Sequence, residues 1–341
     1  MAKKPLQNSY RKSSKILIVG YGSIGKRHFD NLVRLGYSDI LICTKNSQAK
    51  RLVKQGIKIF PSLDLALKEK PDVSIICNET SMHTKTAIQL AKNGSHLFIE
   101  KPLSDSMKDL KNLIKIVTKK KLITMVGCNM RFHDGIKLIK KLVDKNEIGR
   151  IFSISVENGS FMPDWHPWED YQISYASRKK LGGGVVLTQI HEIDYLCWLF
   201  GTVSEVFSFS KKLSDLQIDV EDYSGSLLKF KNKIIAEVHL DYFQKPSVRS
   251  CKIHGTKGKI VWNWENNHLQ VFRNTKNKFF TKHFDKNFDR NKMYLEELQY
   301  FLNCIDKKKQ PMNSISESIE IQKVALAIKH SAKVGKKIQL K

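Results

Sequence analysis

No stretch of this chain approaches the roughly 20 consecutive apolar residues that a membrane span requires, which argues against an integral membrane protein. Residues 1–14 are polar and basic and lack the apolar middle region of a secretory leader, and the run at 16–19 is too short to supply one. They are expected to form a loose tail ahead of the first strand of a cytoplasmic protein. Cysteine is sparse. The six residues, Cys43, Cys77, Cys128, Cys197, Cys251 and Cys304, are scattered, with no C-x-x-C pair and no histidine at zinc-ligand spacing. A disulfide framework and a structural zinc are therefore disfavoured, no metal site is expected, and the thiols read as core side chains in a reducing compartment.

Acid is also scarce: 33 Asp and Glu face 59 Lys and Arg, a formal net charge of +26. The lysines are spread along the chain, not gathered in one block. The short clusters at 119–121 and 307–309 fall where predicted helices end and where cations suit the helix dipole. The charge reads as solvated helix faces, with attraction of an anionic substrate (a sugar acid or nucleotide-linked sugar) as the alternative. No nucleic-acid recognition motif accompanies it, and no nucleic-acid partner is expected.

What is present is a regular grammar. The 341 residues suffice for two domains. From 15 onward, apolar runs of about five residues without internal alternation (15–19, 39–44, 73–77, 96–99, 123–128) are separated by amphipathic stretches, including 82–92 and 105–120. Such strands are buried on both faces, and the intervening helices imply right-handed parallel crossovers. The first half, 14–129, is thus expected to be an α/β domain with a doubly wound parallel sheet. After 129 a helix near 136–144 and a strand near 151–157 lead into an aromatic-rich segment. Glycines 182–184 then open a helix expected to run to 200. Seven strands follow without helices between them, near 203–209, 222–230, 233–242, 247–254, 258–263, 268–273 and 279–284. Two helices near 289–306 and 315–334 and a short strand near 337–340 complete a second α/β domain, 130–341, with a largely antiparallel open sheet. Neither repeats nor a low-complexity linker occur, so the two are expected to pack closely.

Four motifs carry chemistry. Gly20, Tyr21, Gly22, Ser23, Ile24 and Gly25 form G-x-G-x-x-G between a strand and a helix, where backbone N–H groups meet the pyrophosphate of a dinucleotide. The second strand ends without a carboxylate to bind a ribose 2′-hydroxyl. Thr44 and Lys45 stand there instead and suit a 2′-phosphate, so NADP is favoured over NAD. Glu100-Lys101-Pro102 follows a strand at its carboxyl end, where ligands bind in doubly wound sheets. Finally, the glycines at 182–184 lead a helix expected to present Thr188, His191 and either Asp194 or Tyr195 on one face. The polar-aromatic loop at 164–171, with Trp165 and His166, suits a sugar ring, or is a packed loop or an oligomer contact.

Together these segments resemble the glucose–fructose oxidoreductase, inositol dehydrogenase and MocA (Gfo/Idh/MocA) family. The matching parts are 18–28, Asn78-Glu79-Thr80-Ser81-Met82-His83, Glu100-Lys101-Pro102-Leu103, the triple glycine with His191, and His254-Gly255-Thr256-Lys257-Gly258, in the family's order over most of the chain. The resemblance implies a Rossmann domain followed by a sheet domain whose open face commonly makes a homodimer or homotetramer. It implies Lys101 and His191 as catalytic pair, and Cys77, Asn78, Thr80, His83, Glu100 and Lys101 as the border of the NAD(P) site. It also implies an unusual peptide geometry at Lys101-Pro102. One position departs: where the family usually carries an aspartate on the turn before the histidine, this chain has Leu187-Thr188, and Asp194 is a candidate replacement.

The expected activity is hydride transfer between nicotinamide and a secondary hydroxyl or ketone of a carbohydrate. Two other readings stay open at this level: a redox-neutral sugar-modifying enzyme using bound NAD(P) for transient oxidation, and a non-enzymatic dinucleotide-binding protein.

Overall fold

A computed structural model describes residues 14–285 and 287–340; apart from Ser14, the tail expected at 1–14 lies outside the described residues. The chain divides into two compact units. The first holds the residues up to Leu103, Lys108–Gly127 and Tyr294–Ser316, and the second holds Ser104–Met107, Cys128–Met293 and the residues from Glu317 on.

The first unit alternates strand and helix: β1 (Ile16–Val19), α1 (Ser23–Arg34), β2 (Ile40–Cys43), β3 (Lys58–Phe60), α2 (Leu63–Leu67), β4 (Val73–Ile76), α3 (His83–Lys92), β5 (His96–Glu100), α4 (Leu110–Lys119) and β6 (Thr124–Gly127). The strands line up in the order β3-β2-β1-β4-β5-β6, all parallel. Every residue of β1, β2, β4 and β6 is buried, as a sheet covered on both faces requires. The order reverses between β1 and β4, and the carboxyl ends on either side of that reversal open a crevice suited to a ligand. The helix expected at 105–120 starts only at Leu110, because Asp109 adopts a left-handed backbone (φ 60°) that a helix interior excludes.

The second unit begins with α5 (Asp134–Asp144) and β7 (Ile151–Gly159). It continues through α6 (Val185–Thr188) and α7 (His191–Phe200) into β8 (Val203–Lys211), β9 (Tyr223–Phe230), β10 (Ile235–Asp241), β11 (Val248–Gly255), β12 (Gly258–Asn263), β13 (His268–Arg273) and β14 (Lys278–His283). After α8 (Asn291–Asp306) come α9 (Ile315–Val334) and β15 (Ile338–Gln339). The nine-stranded sheet runs β14-β13-β12-β11-β7-β10-β9-β8-β15, and β7 with β10 is its parallel pair. Along β10, Ala236, Val238 and Leu240 are buried while Ile235 and Glu237 are exposed, so one face is covered and the other open.

From Tyr294 onward α8 belongs to the first unit, which no local sequence signal announces. Phe301 packs edge-on against Phe98 of β5. Beyond the helix, the Asn313 carbonyl accepts from Val126 N–H at 2.9 Å and Gln310 Nε2 donates to Leu122 O at 2.7 Å. These bonds satisfy the outer edge of β6, which would otherwise be an open template for pairing.

A further difference lies at the glycine-led helix, which is two helices, α6 and α7, broken at Gln189 and Ile190. At the break Gln189 Nε2 donates to the Asp241 carbonyl at the end of β10, tying the corner to the sheet. Asp194, on α7, is fully buried and accepts from Arg131 Nε at 2.9 Å and Nη2 at 2.8 Å; Arg131 Nη1 also reaches Glu317 at 2.8 Å. Removing one member of such a pair strands the other charge. Asp194→Ala is expected to cost about 3–5 kcal/mol, read from urea unfolding. Replacing both residues, Arg131→Met with Asp194→Leu, is expected to recover most of that loss; equal losses would mean the pair is not what fixes α7.

Candidate functional site

In the first unit the site is built from backbone. Gly20 has φ +95°, and a Cβ there would fall 2.7 Å from the main chain of Cys77 and Asn78, so β1 and β4 meet through a residue without a side chain. A Cβ on Gly25 would lie 2.1 Å from the Gly20 carbonyl oxygen, so α1 approaches its own entry loop closely. Gly22 is the opposite case: among the described residues nothing lies within 4 Å of a Cβ placed there, and as N-cap it offers no side chain to cap α1. The two tight glycines shape the turn, and the open one leaves room in front of helical N–H groups. That cradle, with its uncapped 12-residue helix, fits a dinucleotide pyrophosphate.

The neighbouring residues sort by their contacts. Tyr21 turns inward, its ring edge-on to Phe29, and its carbonyl accepts from Asn46 Nδ2 at 2.9 Å. Asn46 thereby joins the glycine loop to the end of β2, a link that sequence reasoning missed although Asn46 also caps the short turn of helix at 47–55. Ser23 and Lys45 are exposed, and Ile24 and Thr44 are half-buried. Thr44 Oγ1 accepts from Asn46 N–H at 3.1 Å. Cys77 is buried, and desolvation with the Glu100 charge pushes its thiol well above its usual range, so it is no nucleophile. Asn78 Nδ2 donates to Thr86 Oγ1, while Asn78 Oδ1 has no partner among the described residues. Thr80 is buried.

Lys101 follows β5 and is half-buried, and its peptide bond to Pro102 is cis. Glu100 is the strut beneath it. Its Oε1 lies 2.6 Å from His28 Nε2 on α1, and its Oε2 accepts from the Lys101 N–H at 3.3 Å. His83 is a second strut: its ring nitrogens sit 2.8 Å from Pro102 O and 2.9 Å from Asn78 O. Burial lowers the pKa of His83, so the neutral ring has one N–H to donate between two carbonyls. Glu100 and His83 therefore shape the border by holding the Lys101–Pro102 turn, their polar atoms spent inside the chain.

The second unit builds its corner in the same way. A Cβ on Gly183 would lie 2.4 Å from Tyr175 O, and one on Gly184 (φ +108°) 2.3 Å from the Glu221 carboxylate, which Lys329 binds at 2.8 Å. Gly184 N–H donates to Ala176 O and Val185 N–H to Glu221 O, setting the start of α6. Thr188 at its end is buried, and Tyr242, the residue after β10, is fully buried. The Trp165 ring meets Tyr242 edge-on at 5.1 Å, and Trp165 Nε1 donates to Ser160 Oγ. Trp165 thus packs on a tyrosine that no motif singled out. His166 stands apart, tilted against the exposed Trp168.

His191 is half-buried at the start of α7. The carboxylates after it are committed elsewhere: Glu192 accepts from Arg249 Nε at 2.7 Å and Asn158 Nδ2 at 3.0 Å, and Asp194 holds Arg131. Both oxygens of Asp194 accept from a buried guanidinium.

Residues 14–128 match the oxidoreductase family, NAD-binding Rossmann fold, and residues 140–340 match the oxidoreductase family, C-terminal alpha/beta domain. Myo-inositol 2-dehydrogenase of Thermotoga maritima is 27% identical over 338 residues, 94% of this chain and 95% of that protein. Levoglucosan dehydrogenase of Pseudarthrobacter phenanthrenivorans is 28% identical over 232 residues, 60% of this chain and 59% of that one. A solved structure of a levoglucosan dehydrogenase in complex with NADH shares the fold, with a TM-score of 0.85, 21% identity, and 96% of this chain and 98% of that one covered. With both of its units matched, the chain belongs to the Gfo/Idh/MocA oxidoreductase family.

Proposed function

We propose that this protein is an NAD(P)-dependent dehydrogenase or reductase acting on a secondary hydroxyl or ketone of a sugar, sugar acid or nucleotide-linked sugar. The observation that carries the reading is the crevice of the first unit, where an uncapped helix start behind Gly22 stands beside a lysine loop braced by two buried struts. The relatives named for inositol and levoglucosan dehydrogenation support a polyol or sugar as substrate.

The Gly20–Gly25 loop would hold the pyrophosphate, with Asn78 Oδ1 as an acceptor for the bound dinucleotide. The nicotinamide, when bound, supplies or accepts hydride. Lys101 holds the reacting oxygen and offsets the alkoxide charge that develops on it. His191 takes the hydroxyl proton in oxidation and returns it in reduction, a task suited to an imidazole. Thr188 hydrogen-bonds a substrate hydroxyl, and Trp165 and His166 offer ring faces to the substrate. Lys45, exposed at the end of β2 with no carboxylate nearby in sequence, favours NADP by pairing with its 2′-phosphate. A homodimer or homotetramer through the open sheet face is supported by Phe209, Leu227 and Ile235, 62%, 47% and 39% exposed there.

Lys101→Ala and His191→Ala are each expected to lower kcat by roughly 10³-fold while nucleotide affinity, measured by fluorescence titration, stays near that of the parent. Near-normal turnover in Lys101→Ala would sink the assignment. For the cofactor, Lys45→Ala should weaken NADPH binding by about tenfold and leave NADH binding within about twofold. A parent protein that binds NADH more tightly than NADPH would reverse the preference. Light scattering is expected to show a dimer or tetramer that Phe209→Lys with Leu227→Glu dissociates; an unchanged mass would exclude this face as the interface.

A further inference from the structure

In the second unit a cavity of about 140 Å³ is bounded by the start of α5, the turn before β13 and the chain that leads from β14 into α8. Among the described residues that line it, His133 is the most buried, at 2% exposed. Two indoles hold its ring, Trp262 edge-on at 5.2 Å and Trp264 tilted at 4.9 Å. Phe288 and Phe284, which also line the cavity, stand edge-on to the same ring at 5.2 Å and 6.3 Å.

The protonation of His133 follows from the hydrogen bond it makes. Its Nδ1 accepts from the Gly135 N–H at 3.0 Å, so that nitrogen carries no proton. The ring is therefore neutral, and Nε2 holds its single N–H. Burial and the Arg249 charge act in the same direction, lowering the pKa to about 3. Nε2 has no hydrogen-bond partner among the described residues. A buried donor of this kind calls for an acceptor, and the cavity is where one can stand.

The rest of the lining is mixed in kind. Asp285 and Asp289 each use Oδ1 in a local turn, accepting from Asn287 N–H at 2.9 Å and Asn291 N–H at 2.8 Å. Asp134 Oδ2 accepts from Lys292 Nζ at 3.1 Å. An anion would meet these three carboxylates, and an ammonium would meet the His133 N–H and Lys292. A neutral polyol suits both sets, because each hydroxyl can donate to a carboxylate or accept from an N–H. Its C–H face can lie on the rings of Phe284 and Phe288. The volume falls well short of the roughly 300 Å³ at which drug-sized pockets begin, so the space suits one small ring.

We propose that this cavity is a second carbohydrate site, which binds one neutral sugar or cyclic polyol without turning it over. None of its described lining residues belongs to the glycine loop, the Lys101 turn or the Thr188–His191 corner. The inference therefore goes beyond the dehydrogenase reading and requires no part of it.

The test is calorimetric titration of the full-length protein, carrying Lys101→Ala and free of nucleotide so that no turnover adds heat. The probes are myo-inositol and D-glucose, with D-gluconate and D-glucosamine as charged counterparts. A neutral probe is expected to bind, and both charged ones more weakly. Phe288→Ala and Asp285→Asn, which alter only the half-buried and exposed parts of the lining, should each weaken that binding by about tenfold. In the protein with Lys101 intact, the same two changes should leave kcat/KM within about twofold of the parent, with whichever of myo-inositol and levoglucosan it oxidises faster. No saturable binding of either neutral probe overturns the inference. So does binding that both variants leave unchanged, since the sugar then sits elsewhere. Tighter binding of gluconate or glucosamine overturns the neutral class. A protein that oxidises neither compound, yet shows binding sensitive to both variants, loses the proposed activity and keeps this site.

Discussion

In both units a glycine loop lies where two stretches of backbone approach so closely that no Cβ fits between them. The Gly20 turn rests on the main chain after β4, and the start of α1 rests on the Gly20 carbonyl. In the second unit, Gly183 rests on the carbonyls of Tyr175 and Ala176, and Gly184 on the Glu221 carboxylate. These contacts fix where a helix begins, and a helix start fixes the direction of its free N–H groups. In the first unit that direction makes an anion cradle; in the second it delivers Thr188 and His191 to one corner.

Around these loops the charged groups are arranged to be spent. Glu100 is used by His28, Glu192 by Arg249 and Asn158, Asp194 by Arg131, and Glu221 by Lys329. A buried carboxylate left without such partners would shift its pKa and neutralise itself. Each pairing therefore keeps a fixed charge where geometry is needed and removes it from chemistry.

The open face of the nine-stranded sheet follows from the same alternation that builds its core. Each strand must turn every second residue outward. Along β8, β9 and β10 that outward set includes Phe209, Leu227 and Ile235, side chains a solvated surface has little use for. The buried set, Ala236, Val238 and Leu240 on β10 among them, packs the covered side.

Much of this was legible in the sequence because it depends on short-range regularity. Five-residue apolar runs separated by helical stretches point to a parallel sheet, and consecutive strands without intervening helices after Gly201 point to the antiparallel one. Glycine spacing at 20–25 and the position of Lys101 after β5 locate the crevice, since strand ends and helix starts are local features. Only tertiary structure decided the rest. That Asp194 serves Arg131, that Gln189 reaches the Asp241 carbonyl, and that the segment from Tyr294 to Ser316 returns to cover β6 each rest on partners 52 or more residues apart, taking 189 against 241 as the shortest separation. A side chain's spacing in sequence sets its face on a helix or strand, but what a buried hydroxyl or carboxylate does is set by which partner desolvation forces it to find.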